Sequence, residues 1–166
     1  LDATAFSGDV VDREALNRAL VGKDAVLSTL GPRGDAPADL CARGTANIVA
    51  AMKTNGVRRI VQVTGAMIGH PREKLGWMYR IIAAFVPESQ LDDRRAQERI
   101  LRESGLETTI VRPTRLTDAP PRGRWRDGED EIVGAWASIA REDVAEALVR
   151  ALEDPRSIGR AWTLQY

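Results

Sequence analysis

The sequence predicts an α/β fold, a parallel sheet covered by helices on both faces. Three observations carry that expectation. Short β-prone runs alternate along the 166 residues with helical stretches of about 10 to 18 residues. The runs end on glycine or proline, as in "LSTLGPRG", "VQVTGA" and "TIVRPT". The composition, 43% apolar and 29% charged, is that of a chain that buries a core.

Each element follows from its own pattern. "TAFSGDVVDREALNRAL" reads as the end of a strand at residues 3 to 6, a Gly-Asp turn and an amphipathic helix. Val26 to Leu30 form a short strand, ended by the turn residues of Gly31-Pro32-Arg33-Gly34-Asp35. From 38 to 55 the pattern is helical: Leu40, Ile48, Val49 and Met52 share a face, and Gly56 stands where a left-handed cap ends a helix. "RRIVQVTGAM" supplies a second strand over 60–64, terminated by Gly65. Residues 67–90 are the least regular; "GWMYRIIAAFVPE" suits a short buried helix or a lid over a pocket, ended by Pro87.

A helix over 91–104 places Asp92 and Asp93 at its positive N-terminal end and pairs Glu98 with Arg102 at i,i+4. "LETTIVRPT" is a third strand, stopped by Pro113. Residues 122–128 read as a polar loop or hairpin, and "EIVGAWASI" as a further short strand. The helix over 141–153 aligns Val144, Leu148 and Leu152, and "RAWTLQY" closes the chain as a last strand. Length fits one domain over 1–166.

The totals narrow the function. The 24 basic and 24 acidic residues cancel, which argues for a small-molecule partner over nucleic acid or membrane. A single cysteine, Cys41, excludes an intramolecular disulfide and is expected in the core; this fits a cytoplasmic protein. The lone histidine, His70, leaves no His-rich metal cluster and is expected at the surface.

"GDVVD" after a strand, "DAVLSTLGPR", "GTANIVAAMKTNGVRRIVQVTGA", "ERILRESGLETTIVRP" and "IAREDVAEAL" stand in an order that resembles the atypical short-chain dehydrogenase/reductases. The nearest subgroup is the NAD(P)H-binding, NmrA-like and biliverdin/flavin-reductase-like proteins. The resemblance covers nearly the whole chain and is weakest over 67–90. It implies a Rossmann-like doubly wound sheet, here missing its first two strands and Gly-rich turn, because in that family "GDVVD" follows the third strand. The sequence holds no G-x-G-x-x-G or G-x-x-G-x-x-G at a strand–helix junction and begins at Leu1, not Met. The expectation is a parent chain that extends upstream.

The resemblance also implies roles. Asp9 would accept from an adenine amino group while the amide of Val10 meets the ring; a turn or helix-cap role is the alternative. Leu30 and Gly31 would border the ribose, and Arg33 would reach a phosphate or a substrate carboxylate, or stand solvated. Thr64 would orient the group that receives hydride and so act as the catalytic residue. The family's Tyr-x-x-x-Lys pair is absent, since Tyr79 is followed four residues later by Ala83 and the lysine position falls near Arg94. Arg94 would hold a nicotinamide ribose but modulates a tyrosine poorly. Pro113 and Thr114 would border the carboxamide, with Arg115 and Leu116 lining the substrate pocket. The implied activity is NAD(P)H-dependent reduction of a small carbonyl, flavin or quinone-type acceptor, with NADPH favoured over NADH. A non-catalytic NAD(P)-sensing protein of the NmrA type is the alternative.

Overall fold

In the computed structural model, which describes residues 4–32, 36–70, 72–129 and 131–166, helices and strands alternate along the chain. Helix α1 (Arg13–Leu20) starts at Asp12, whose carboxylate accepts from the amides of Glu14 and Ala15 at 3.0 Å each. Strand β1 (Ala25–Ser28) leads through a loop to α2 (Leu40–Asn55), which ends on Gly56 at φ 73° as the sequence predicts. Strand β2 (Arg59–Val63) is followed by the short α3 (Ala66–Gly69), then α4 (Trp77–Phe85) and α5 (Glu88–Glu103). Then come β3 (Glu107–Pro113), β4 (Arg115–Thr117), β5 (Arg126–Gly128), β6 (Ser138–Ala140), α6 (Arg141–Glu153) and β7 (Ala161–Gln165).

The main sheet runs β1-β2-β3-β7-β5, with the first four strands parallel and β5 antiparallel to β7. A small second sheet pairs β4 with β6 in parallel. Successive residues of a strand point to opposite faces, and both faces are apolar. Ile60 and Ile110 join Ile48, Val49 and Met52 of α2 and Leu101 of α5 on one side; Leu16 and Leu20 of α1 pack against the same cluster. Val61 and Val111 join Val144, Ala147, Leu148 and Ala151 of α6 on the other. A third cluster, Ala66, Leu75, Tyr79, Val133 and Ala137, sits under α4. This is the doubly wound, Rossmann-like arrangement. No helix among the described residues is long and apolar enough to cross a membrane.

Several expectations are corrected. Residues 4–9 form no strand: the segment is exposed and has no ladder partner among the described residues. The α5 helix begins at Glu88, directly after Pro87, because proline's fixed φ suits the residue before a first turn. Residues 126–128 pair with the distant β7, not across a local hairpin. Of "EIVGAWASI", the strand takes in only Ser138–Ala140, since residues 133–137 instead close against 74–76 through Gly76 N to Val133 O (2.8 Å) and Val133 N to Lys74 O (3.0 Å). His70 is buried and hydrogen-bonded to the Thr163 hydroxyl, because the turn after α3 folds back onto β7.

Candidate active site

Parallel strands place their C-terminal ends on one edge, and there the backbone stops pairing and becomes available to a ligand. Along that edge Leu30, Gly31, Thr64, Arg94, Pro113, Thr114 and Leu116 line one cleft of about 570 Å³. A second cavity of about 510 Å³ continues from Pro113 and Thr114 over Gly65 to Met67, Tyr79, Ile82, Arg115 and Trp136. The two share Pro113 and Thr114, so together they form one continuous site, polar in the first arm and largely apolar in the second. A smaller hollow of about 200 Å³, walled by Pro32, Thr64, Gly65, Met67 and Arg94, lies between them.

Arg94 projects from α5 to the end of β1, where Nη1 donates to the Leu30 carbonyl at 3.0 Å and to Gln97 Oε1 at 3.1 Å. Gln97 is fixed in turn by donating to the Thr45 hydroxyl at 3.0 Å. Gly31 permits this approach: a Cβ there would stand 3.0 Å from Arg94 Nη2. Asp9 and Val10 lie beside the cleft and do not line it. Asp9 Oδ1 accepts from the Val11 amide at 3.0 Å, a turn contact, and one carboxylate oxygen remains on an exposed side chain. Val10 reaches Leu30 through Gly44, where a Cβ would meet Val10 at 2.9 Å and Leu30 at 2.6 Å, so the turn and the cleft are held together across α2. Arg33 falls outside the described residues.

Thr64 is buried at the end of β2 and donates its hydroxyl to Glu98 Oε1 at 2.8 Å. Glu98 also takes Arg112 Nε at 2.9 Å and Nη2 at 2.5 Å, a bidentate pair with both side chains under 10% exposed. Gly69 lies over that guanidinium, so close that a Cβ would come within 2.1 Å of Arg112 Cζ. The expected Glu98–Arg102 pair exists only at 3.9 Å, at the rim. Glu98 is thus a core counter-ion, a role that sequence reasoning missed. The signal was Arg112, a cation in the buried C-terminal part of β3, which needs a buried acid. Asp93 was misplaced too. It is buried and caps α2, accepting from the amides of Cys41 (3.0 Å) and Ala42 (2.8 Å). Burial of Cys41, with Asp93 adding to it, pushes that thiol up to about 11.

Tyr79 stands under the apolar arm with its hydroxyl used twice. It donates to the Ala137 carbonyl at 2.9 Å and accepts from the Arg115 amide at 2.6 Å. Burial raises its pKa. Thr114 donates its hydroxyl to the Leu164 carbonyl at 3.1 Å. The Arg115 side chain is exposed at the rim, and Leu116 is 38% exposed in the outer arm.

A family model described as NAD(P)H-binding matches residues 1–155. The chain belongs to the NAD(P)H-binding family. Its curated relatives include the uncharacterized sugar epimerase YhfK of Bacillus subtilis, 29% identical over 155 residues, which are 91% of this chain and 67% of that protein. A chloroplastic protein of Arabidopsis thaliana, At2g34460, is 32% identical over 66% of this chain, and the match spans 39% of that protein. Among solved structures, a short-chain dehydrogenase/reductase of Veillonella parvula in complex with NADP superposes at TM-score 0.79 and 21% identity, over 96% of this chain and 70% of that one. ChuY, an anaerobillin reductase from Escherichia coli O157:H7, does so at 0.75 and 21%, over 96% and 73%. At these identities the superpositions establish the shared Rossmann-like fold of the NAD(P)H-binding family.

Proposed function

We propose that the protein is an NAD(P)H-dependent reductase that passes hydride to a conjugated apolar acceptor of the flavin or quinone type, with NADPH preferred. One observation carries the reading: every side-chain hydroxyl at the junction of the two arms already donates to the protein. Thr64 donates to Glu98, Thr114 to Leu164, and Tyr79 to Ala137. An isolated aldehyde or ketone needs a proton as its oxygen takes up charge. A conjugated acceptor spreads that charge over its ring system and takes its proton from solvent.

The residues present fit the nicotinamide half of such a cofactor. Leu30 and Gly31 leave open backbone, Arg94 is held beside Gly31, and Pro113 and Thr114 form the floor between the arms. Asp9 retains an oxygen for an adenine amino group. Bound there, a nicotinamide supplies the hydride; the chain supplies position and a water-poor acceptor arm. Thr64, its hydroxyl hydrogen directed to Glu98, forms part of the wall at the transfer point. Arg115 at the rim meets an anionic group on the acceptor.

The test is NADPH oxidation by the full-length protein against flavins, quinones and aldehydes. Turnover of a flavin or quinone with little on simple aldehydes is the expected result. Preference for aldehydes would refute the proton argument. Tight NADPH binding without turnover of any acceptor would favour the sensor reading, which the absent Tyr-x-x-x-Lys pair supports.

A further inference from the structure

Helix α4 covers the acceptor arm with one face and leaves the other face apolar and bare. Tyr79 points inward and is 6% exposed, while Trp77, Ile81 and Phe85 are 49%, 48% and 84% exposed. Their i, i+4, i+8 spacing makes a continuous ridge of the kind that packs into the groove of another helix. Trp136 extends it from the neighbouring loop, 68% exposed and edge-to-face with Trp77 at 5.8 Å. Ile82, 41% exposed, adds to its flank.

We infer that this ridge is a two-fold interface between two copies of the chain. Weighted by their exposures, the five side chains present on the order of 600 Å². That approaches the roughly 800 Å² per partner of a standard stable interface and stands at the upper end of the roughly 300–600 Å² that a monomer leaves bare in its largest patch. The chemistry favours a like partner. A two-fold axis brings each residue near its own copy, so charge at the centre is self-repelling. The ridge has none: Arg80, the one charged residue of α4, stands on its flank. Three aromatics without a charge pattern to register a different partner suit a self-association surface. A lipid surface fits less well, since apolar anchoring of this size needs basic attraction and the formal net charge is zero. Ile82 and Trp136 also line the acceptor arm, so the second copy would wall that arm's mouth.

The experiment is sedentation-based mass measurement by analytical ultracentrifugation of the full-length protein across the micromolar range, without cofactor or acceptor. Its outcome therefore stands apart from that of the reductase assay. A dimer is expected, with Ile81→Arg and Phe85→Glu each raising the dissociation constant by about thirtyfold or more. Both positions are exposed, so circular dichroism should show the variants folded, and dilution of the wild type should red-shift its tryptophan emission if Trp77 and Trp136 are uncovered. A wild-type monomer throughout would overturn the inference. So would a dimer that survives both substitutions, or a monomer that floats with phosphatidylcholine vesicles.

Discussion

Replacing Glu98 by alanine should be among the most damaging single changes in this fold. The Glu98 and Arg112 side chains are 7% and 9% exposed, and Gly69 packs directly on the guanidinium. Removing one partner of such a pair strands a buried charge and costs about 3–5 kcal/mol. It also leaves the Thr64 hydroxyl without its acceptor. At this chain length each kcal/mol shifts the melting temperature by about 2–4 °C, so a fall of roughly 6–20 °C is expected. Thermal unfolding followed by circular dichroism measures it. The double replacement Glu98→Met with Arg112→Leu removes both charges and should melt far closer to the wild type than Glu98→Ala does. A shift below about 1 kcal/mol for Glu98→Ala, or a double variant whose losses simply add, would refute the assignment of this pair as a mutually dependent core element.

Four further outcomes follow from the same geometry. Asp93→Ala should lower stability by about 0.5–2 kcal/mol in urea titration, because α2 loses the cap on Cys41 and Ala42. The Cys41 thiol, raised by burial from 9.0 to about 11, should resist thiol reagents in the native state; stability should fall as pH rises from about 9 to 11, since the unfolded thiol ionises first, and Cys41→Ala should make that slope shallower. Burial alone would raise the Asp143 carboxyl, but the Tyr166 hydroxyl and the amides of Arg122 and Gly123 hold it below the usual carboxylate range, so its contribution is present above that range and lost as acid protonates it; Asp143→Asn should flatten the acid limb of a pH–stability curve. Tyr79→Phe and Thr64→Val should each lower stability yet leave flavin or quinone reduction nearly unchanged, because both hydroxyls are committed to the protein; a large rate loss in either would show that its hydroxyl takes part in the chemistry.

The fold was legible where local pattern and tertiary role coincide. Strands β2 and β3 are apolar on both faces, so "RRIVQV" and "TTIVRP" announce buried parallel strands without ambiguity. Gly56 marked a helix end because the backbone chemistry at that point is local. Residues 67–90 were illegible for the opposite reason. Tyr79 is anchored by Ala137 and Arg115, contacts 58 and 36 residues away in sequence, and the outward face of α4 is as apolar as its inward one. Periodicity cannot then say which face is buried. His70 was misjudged by the same logic: a Gly-Pro-flanked histidine looks like a loop tip until β7 brings Thr163 to it.

The site divides along a similar line. Glycine and proline marked where the strands end, the family resemblance pointed to Gly31, Thr64, Pro113 and Thr114 at those ends, and the structure brings these residues into one cleft with Arg94. What makes the cleft selective is not local. Each hydroxyl that the sequence offers as a proton donor is consumed by an acceptor on another element: Thr64 by α5, Thr114 by β7 and Tyr79 by the loop before β6. A donor tied to a carbonyl or carboxylate in the resting structure gives its proton up only by breaking that bond, at a penalty of about 1–3 kcal/mol for the buried acceptor left behind. That penalty falls on an isolated carbonyl substrate and not on an acceptor protonated from solvent. Under the proposed function, the hydrogen-bond partners of the strand-end hydroxyls, more than the hydroxyls themselves, would therefore set the class of acceptor.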